Sequence, residues 1–208
     1  MRAQGNGRVM GILWRLRLRG MARKFAVLGP EARFLGDRIE IKGRVEAGAR
    51  CVFGNNLVFR THKSGVITIG DDVELADYAM FLSNSRMEIG AGAYVGPHCV
   101  LRDTNHLFQG TDVHWRLTPH ITEPIVIGKN AYIGGRTYVM PGVTIGENAV
   151  IAPASVVTKD VPPGELWAGS PARMIADRTD PARRAKFKRD MEMATLFGLE
   201  LDRDGDGE

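Results

Sequence analysis

Between Ile127 and Pro162 the chain divides without remainder into blocks of six: IGKNAY, IGGRTY, VMPGVT, IGENAV, IAPASV and VTKDVP. Earlier blocks open at Ile41, Ala47, Phe53, Ile69, Leu75, Phe81, Ile89, Val95 and Leu101. Of these 15 blocks, 14 open on a bulky apolar residue (Ala47 is the exception), so the period belongs to the whole core and not to one segment. The fifth position is small or β-branched, from Val45 and Cys51 to Ser155 and Val161, with Leu57 and Asn105 departing from the rule. The fourth is Gly, Asn or Asp in 8 of the 15, the residue types that accept a positive φ at a corner. A period of six fits neither an amphipathic helix nor an alternating strand. It fits one short strand and one corner per block, three blocks closing a triangular coil whose interior takes the first and fifth side chains. Successive coils stack at the strand spacing of ~4.8 Å, so the core grows along one axis.

The blocks predict an all-β chain, a parallel β-helix of about five coils over residues 39–175. A basic arm or helix over 1–38 precedes it, and a helix with an acidic tail over 176–208 follows. Segments of the form aliphatic-x-Ile-x place first blocks at 41, 69, 89, 127 and 145. Successive coils then exceed 18 residues by 10, 2, 20 and 0, and every excess leaves one vertex, after the third block. The longest is a protruding loop, 107–126. Loops on a rigid scaffold are where function concentrates.

Charge excludes one class of partner. The formal net charge is +4, but residues 1–30 carry seven Lys/Arg and no Asp or Glu, leaving 21 basic against 24 acidic residues elsewhere. The body of the fold therefore lacks the basic stripe of a nucleic-acid binder. No apolar run reaches the roughly 20 residues of a membrane span, and Arg15, Arg17 and Arg19 interrupt any signal-peptide core. Two cysteines and no export signal predict a cytoplasmic protein. Cys51 and Cys99 both hold fifth positions, where packing accounts for them.

The segments EPIVIGKNAYIGG, MPGVTIGENAVIAPASVVTKDVPPGELWAGSPARMI and VGPHCVLRDTNH closely resemble the hexapeptide-repeat acyltransferases. Within these the likeness is to bacterial maltose/galactoside O-acetyltransferases and polysaccharide O-acetyltransferases. The resemblance implies a left-handed coil, a homotrimer with active sites between subunits, and acetyl-CoA as co-substrate with no metal. It also implies transfer of an acetyl group to a sugar or glycan hydroxyl.

Such a reaction needs a base for the alcohol proton, and histidine suits that work near neutral pH. His106 ends the third block of its coil, immediately before the long loop, and matches the catalytic histidine of the family. Asp103, three residues earlier, is the candidate to hold its ring. Residues Asn84, Ser85 and Arg86 end the equivalent block one coil below and are expected to face the acceptor, with Trp115 of the loop as a stacking surface. By resemblance Gly135 and Pro153 line the pantetheine path, and Thr158 and Lys159 meet the nucleotide phosphates. Arg173 closes over them and Tyr132 stacks where the family often has Trp. Pro153 replaces the usual Ala and offers no N–H. His98 is expected at an exposed corner, and His62, His114 and His120 in excursions. Their spacing does not reproduce the close His pair of zinc-binding β-helices of carbonic-anhydrase type. That reading, or a non-catalytic binding protein, is a distant alternative, whereas N-acetylation of an amino-sugar nucleotide is the near one.

Residues 8–25 alternate Arg with apolar side chains. They fit either a peripheral contact with the inner face of a membrane or a helix packed on the base of the solenoid or a neighbouring subunit. Thr179-Asp180-Pro181 predicts a helix start, with Phe187, Met191 and Ala194 on one face to about Leu199. The tail from Asp202 imitates half of an EF-hand loop but ends before the required glutamate.

Overall fold

The computed structural model describes residues 17–62, 64–107 and 112–196. Three parallel faces run side by side, with strand orders that advance by one coil at each step. The first aligns Leu28, Ala47, Ile69, Ile89, Ile127 and Ile145. The second aligns Phe34, Phe53, Leu75, Val95, Ile133, Ile151 and Trp167. The third aligns Ile41, Phe59, Phe81, Leu101, Val139 and Val157. The result is a left-handed parallel β-helix of about seven turns, not five. One extra turn starts at Val27, before the first hexad, and another closes the far end, where Val161 bridges Ile145 and Glu165–Gly169 pairs with Val150–Ile151.

The register corrects the phase of the first coil. Ile41 stands on the third face, not the first, and the first-face residue of that level is Ala47. Phe59, absent from the hexad list, opens a third-face block of its own. The excursion before Ile69 is thereby four residues longer than a regular six, not ten. From the third face to the next first face the chain takes six residues at Val139–Ile145, eight at Phe81–Ile89, ten at Phe59–Ile69 and 26 at Leu101–Ile127. The three long excursions share one vertex, as the spacing predicts.

The interior follows the block rule. First-position residues from Phe53 to Val157 are buried, as are the fifth-position residues described from Cys51 to Ser155 except Ser85 and Asn105, which are half-buried at the vertex of the excursions. Phe59 and Phe81 stack with centroids 4.9 Å apart, and each coil hands its large side chain to the next. Among the described residues all ten non-glycine residues with positive φ, Asn56, Tyr78, His98, Asn130 and Ala154 included, occupy fourth positions. The corner conformation is thus imposed by the period even on residues that resist it.

Both ends are closed. Residues 17–22 are helical, and Met21 and Phe25 are buried. The Phe25 ring lies 5.1 Å from Phe53 and 6.2 Å from Phe59, plugging the open base of the solenoid. This part of the arm therefore packs on the base; residues 8–16 lie outside the described residues. At the far end Glu165–Gly169 and Ala172–Asp177 pair antiparallel, and a helix follows over Pro181–Leu196. Asp180 accepts the Ala182 N–H at 2.8 Å, the expected helix start. The side chains of Phe187, Met191 and Ala194, with Leu199 and the tail, lie outside the described residues. Among those described, no helix is long and apolar enough to cross a membrane.

Candidate active site

The long loop leaves the third face as a strand, Thr104–His106, and returns as His120–Thr122, paired antiparallel with it. Thr104 opposes Thr122, Asn105 opposes Ile121, and His106 opposes His120. The two imidazoles meet with centroids 4.2 Å apart. Between the strands a short 3-10 turn, Trp115–Leu117, is capped by the His114 ring, which accepts the Arg116 N–H. This turn brings the Trp115 indole edge-on to His106 at 5.4 Å, and Arg116 lies over the same indole at 5.3 Å. Thr118, nearly buried, lies with its hydroxyl 3.2 Å from His106 Nδ1 and donates to the Trp115 carbonyl at 2.7 Å. His106 is thus held by a hairpin, a ring and a hydroxyl at the root of the loop.

Asp103 does not hold that ring. It is fully buried, and among the described residues its carboxylate accepts from the Ser83 hydroxyl at 2.7 Å, the Asn84 N–H at 2.8 Å, and the Ser85 N–H and hydroxyl at 2.9 and 3.0 Å. The chain bends at Asp103, between the third-face strand Val100–Arg102 and the hairpin strand Thr104–His106, so Asp103 stays buried in the coil while His106 leaves with the loop. Asp103 instead ties the Asn84–Arg86 corner to the coil above. Glu123 continues the tie, its N–H donating to the Asp103 carbonyl at 2.9 Å and its own carbonyl accepting from Gly142 at 3.1 Å. The expected acceptor residues Asn84, Ser85 and Arg86 therefore stand on the vertex of His106, directly beneath its strand. Thr118 and His120 complete the cluster. The mirror pattern of Thr-Asn-His and His-Ile-Thr was the signal in the sequence for their pairing.

The residues expected to meet the coenzyme are spread over three places. Thr158 and Lys159, both exposed, follow Val157 and so lie on the vertex of His106. Gly135 and Pro153 stack on the next vertex, between second and third faces, where the Ala154 N–H donates to the Gly135 carbonyl at 2.9 Å. A Cβ on Gly135 would meet the Pro97 carbonyl oxygen at 3.0 Å, a tight contact, so close coil stacking by itself favours a small residue there. Tyr132 lies outside the second face, stacked on Tyr94 at 4.9 Å. Arg173 is on the closing strand of that face, its guanidinium donating to the Ala172 carbonyl at 2.8 Å. The chain by itself does not gather these groups in one place.

His98 is an exposed corner residue stacked on Tyr78 at 4.9 Å. The two thiols are buried and donate to the Gly70 and Gly134 carbonyls at 3.1 and 3.2 Å. Burial pushes both up, Cys99 to about 11, which suits packing and disfavours a thiolate nucleophile. Among the described residues no three His, Cys, Asp or Glu side chains converge as metal ligands.

Residues 124–159 match the family described as bacterial transferase hexapeptide (six repeats). Among curated proteins none matches. Among solved structures the chain is similar to a maltose O-acetyltransferase from Clostridium difficile 630, with 24% identity over 85% of this chain and 78% of that one and a TM-score of 0.52. It is similar also to AntD, an N-acyltransferase from Bacillus cereus in complex with dTDP and 3-hydroxybutyryl-CoA. There the identity is 17% over 88% of this chain and 96% of that one, and the TM-score is 0.67. These likenesses establish the shared fold.

Proposed function

We propose that this chain is an acyl-CoA-dependent acyltransferase that acetylates a sugar or glycan hydroxyl, with His106 as general base. The observation that carries the reading is the vertex itself. The only excursion of twenty extra residues on the described solenoid folds back so that His106 meets an indole and a hydroxyl at its root, on the vertex that also carries the Asn84–Arg86 corner. In the reaction the acceptor oxygen attacks the thioester carbonyl while the imidazole takes its proton. The C–S bond then breaks and the imidazolium returns the proton to the departing thiolate. A positioned base of this kind contributes typically ~10²- to 10⁴-fold. Trp115 offers a flat apolar face to a sugar ring, and Arg116 offers it charge.

The scatter of the residues expected to meet the coenzyme supports a homotrimer with active sites between subunits. If the vertex bearing His106, Thr158 and Lys159 in one copy abuts the face bearing Tyr132 and Arg173 of the next, the groups divided within one chain meet between two. The AntD structure, with its N-acyl activity, keeps transfer to an amino-sugar nucleotide as the second reading. A CoA-release assay with acetyl-CoA against hydroxyl sugars, glycans and amino-sugar nucleotides separates them. Thiol release with hydroxyl acceptors is expected. Release with amino sugars alone would replace O-transfer by N-transfer, and no release with any acceptor would overturn the proposal.

A further inference from the structure

We propose that Thr118 is a positioning residue that fixes His106 in its Nδ1–H tautomer and so makes Nε2 the nitrogen that takes the acceptor's proton; this rests on the reading of His106 as general base. A threonine hydroxyl has one hydrogen to give and two lone pairs. Thr118 sits 2.7 Å from the Trp115 carbonyl oxygen, a group that can only accept, so its single hydrogen points there. What the hydroxyl presents to His106 Nδ1, 3.2 Å away, is a lone pair. The contact is a hydrogen bond only if Nδ1 carries the proton. A neutral imidazole protonated at Nδ1 has its lone pair on Nε2.

The arrangement is fixed from both sides. The Trp115 carbonyl also accepts the Thr118 backbone N–H at 3.2 Å, so the 3-10 turn itself aims the hydroxyl. The Leu107 N–H donates to the Pro119 carbonyl at 2.8 Å, and His106 pairs with His120, so ring and hydroxyl are set on opposed strands of one hairpin. Thr118 is 9% exposed, which limits competition from water for either bond. The carboxylate that sequence proximity suggests for this role, Asp103, is engaged by Ser83, Asn84 and Ser85. A neutral hydroxyl in place of a carboxylate orients the ring without adding a buried charge beside it.

The test combines Thr118→Val, which keeps the shape and removes the lone pair, with Thr118→Ser, which keeps the hydroxyl. Long-range proton–nitrogen NMR correlations on protein carrying ¹⁵N-labelled histidine, at a pH where the ring is neutral, report the tautomer directly. The His106 signals are those lost in His106→Gln. The expectation is Nδ1–H in the wild type and in Thr118→Ser, and loss of that form in Thr118→Val. With it, kcat falls roughly 10- to 100-fold, the scale of partners that orient a histidine, while KM for acetyl-CoA is unchanged. An Nε2–H ring in the wild type overturns the proposal, as does a folded Thr118→Val protein with undiminished kcat. If the tautomer responds as expected but no acceptor is ever acylated, the orienting role stands and the catalytic reading of His106 falls.

Discussion

The carboxylate of Asp103 takes both the backbone N–H and the hydroxyl of Ser85, a residue of the coil below, at 2.9 and 3.0 Å. With its bonds to Ser83 and Asn84 it seals the vertex from which the loop departs, so its contribution is to the stability of that corner. Asp103→Ala leaves two backbone N–H groups and two hydroxyls without their acceptor and should cost about 3 kcal/mol or more, given ~1–3 kcal/mol for each unsatisfied buried group with partial relief by water. Urea denaturation of the variant beside the wild type measures this, and a loss within ~0.5 kcal/mol would show that the corner does not depend on the carboxylate.

Phe25 closes the base of the solenoid against Phe53 and Phe59. Phe25→Ala is expected to lower stability by about 3–4 kcal/mol, the usual cost of deleting a buried phenyl ring. An unchanged unfolding midpoint would mean that the arm is not part of the cooperative fold.

Coil spacing makes Gly134 irreplaceable in place. A Cβ there would stand 2.5 Å from the Pro153 nitrogen and 2.9 Å from the Ala152 carbonyl carbon, both backbone atoms that cannot swing aside. Gly134→Ala should destabilise by at least about 1–3 kcal/mol through overpacking, read from thermal unfolding. A neutral result would require the coils to spread.

Burial raises the Cys99 thiol from an ordinary 9.0 to about 11. The neutral thiol is favoured by the folded state, so this contribution is complete below the unfolded value and is lost as pH rises from about 9 through about 11. The alkaline decline in stability should therefore be shallower in Cys99→Ala than in the wild type, measured by denaturant titration between pH 8 and pH 11. Parallel curves would show that the thiol does not couple to folding.

The coils were legible in the sequence because each hexad position carries a local burial demand: Ile127, Ile133 and Val139 could be placed without knowing what lay above them. The phase of the first coil was not. An aliphatic-x-Ile-x segment such as Ile39–Lys42 reads alike on any face, and only the ladder from Ile41 to Phe59 assigns it. The coil before it was hidden by one extra residue: Leu28 and Phe34 stand six apart, but Ile41 follows Phe34 by seven. Period alone placed His106 and the Asn84–Arg86 corner on one vertex. It could not show Thr118, because an antiparallel hairpin abandons the six-residue repeat and brings its partners together by mirror order. The assignment of Asp103 failed because the chain bends there, so its carboxylate stays in the coil with Ser83 and Ser85 while the His106 imidazole leaves with the hairpin.

The His106 imidazole is the group on which acetyl transfer depends most directly in the proposed mechanism. Steady-state acetyl transfer by His106→Ala, followed as CoA release at saturating acetyl-CoA with protein shown to be folded, is the direct measurement. A drop in kcat of about 10²- to 10⁴-fold with KM for acetyl-CoA nearly unchanged is the predicted result. Transfer at the wild-type rate would contradict it.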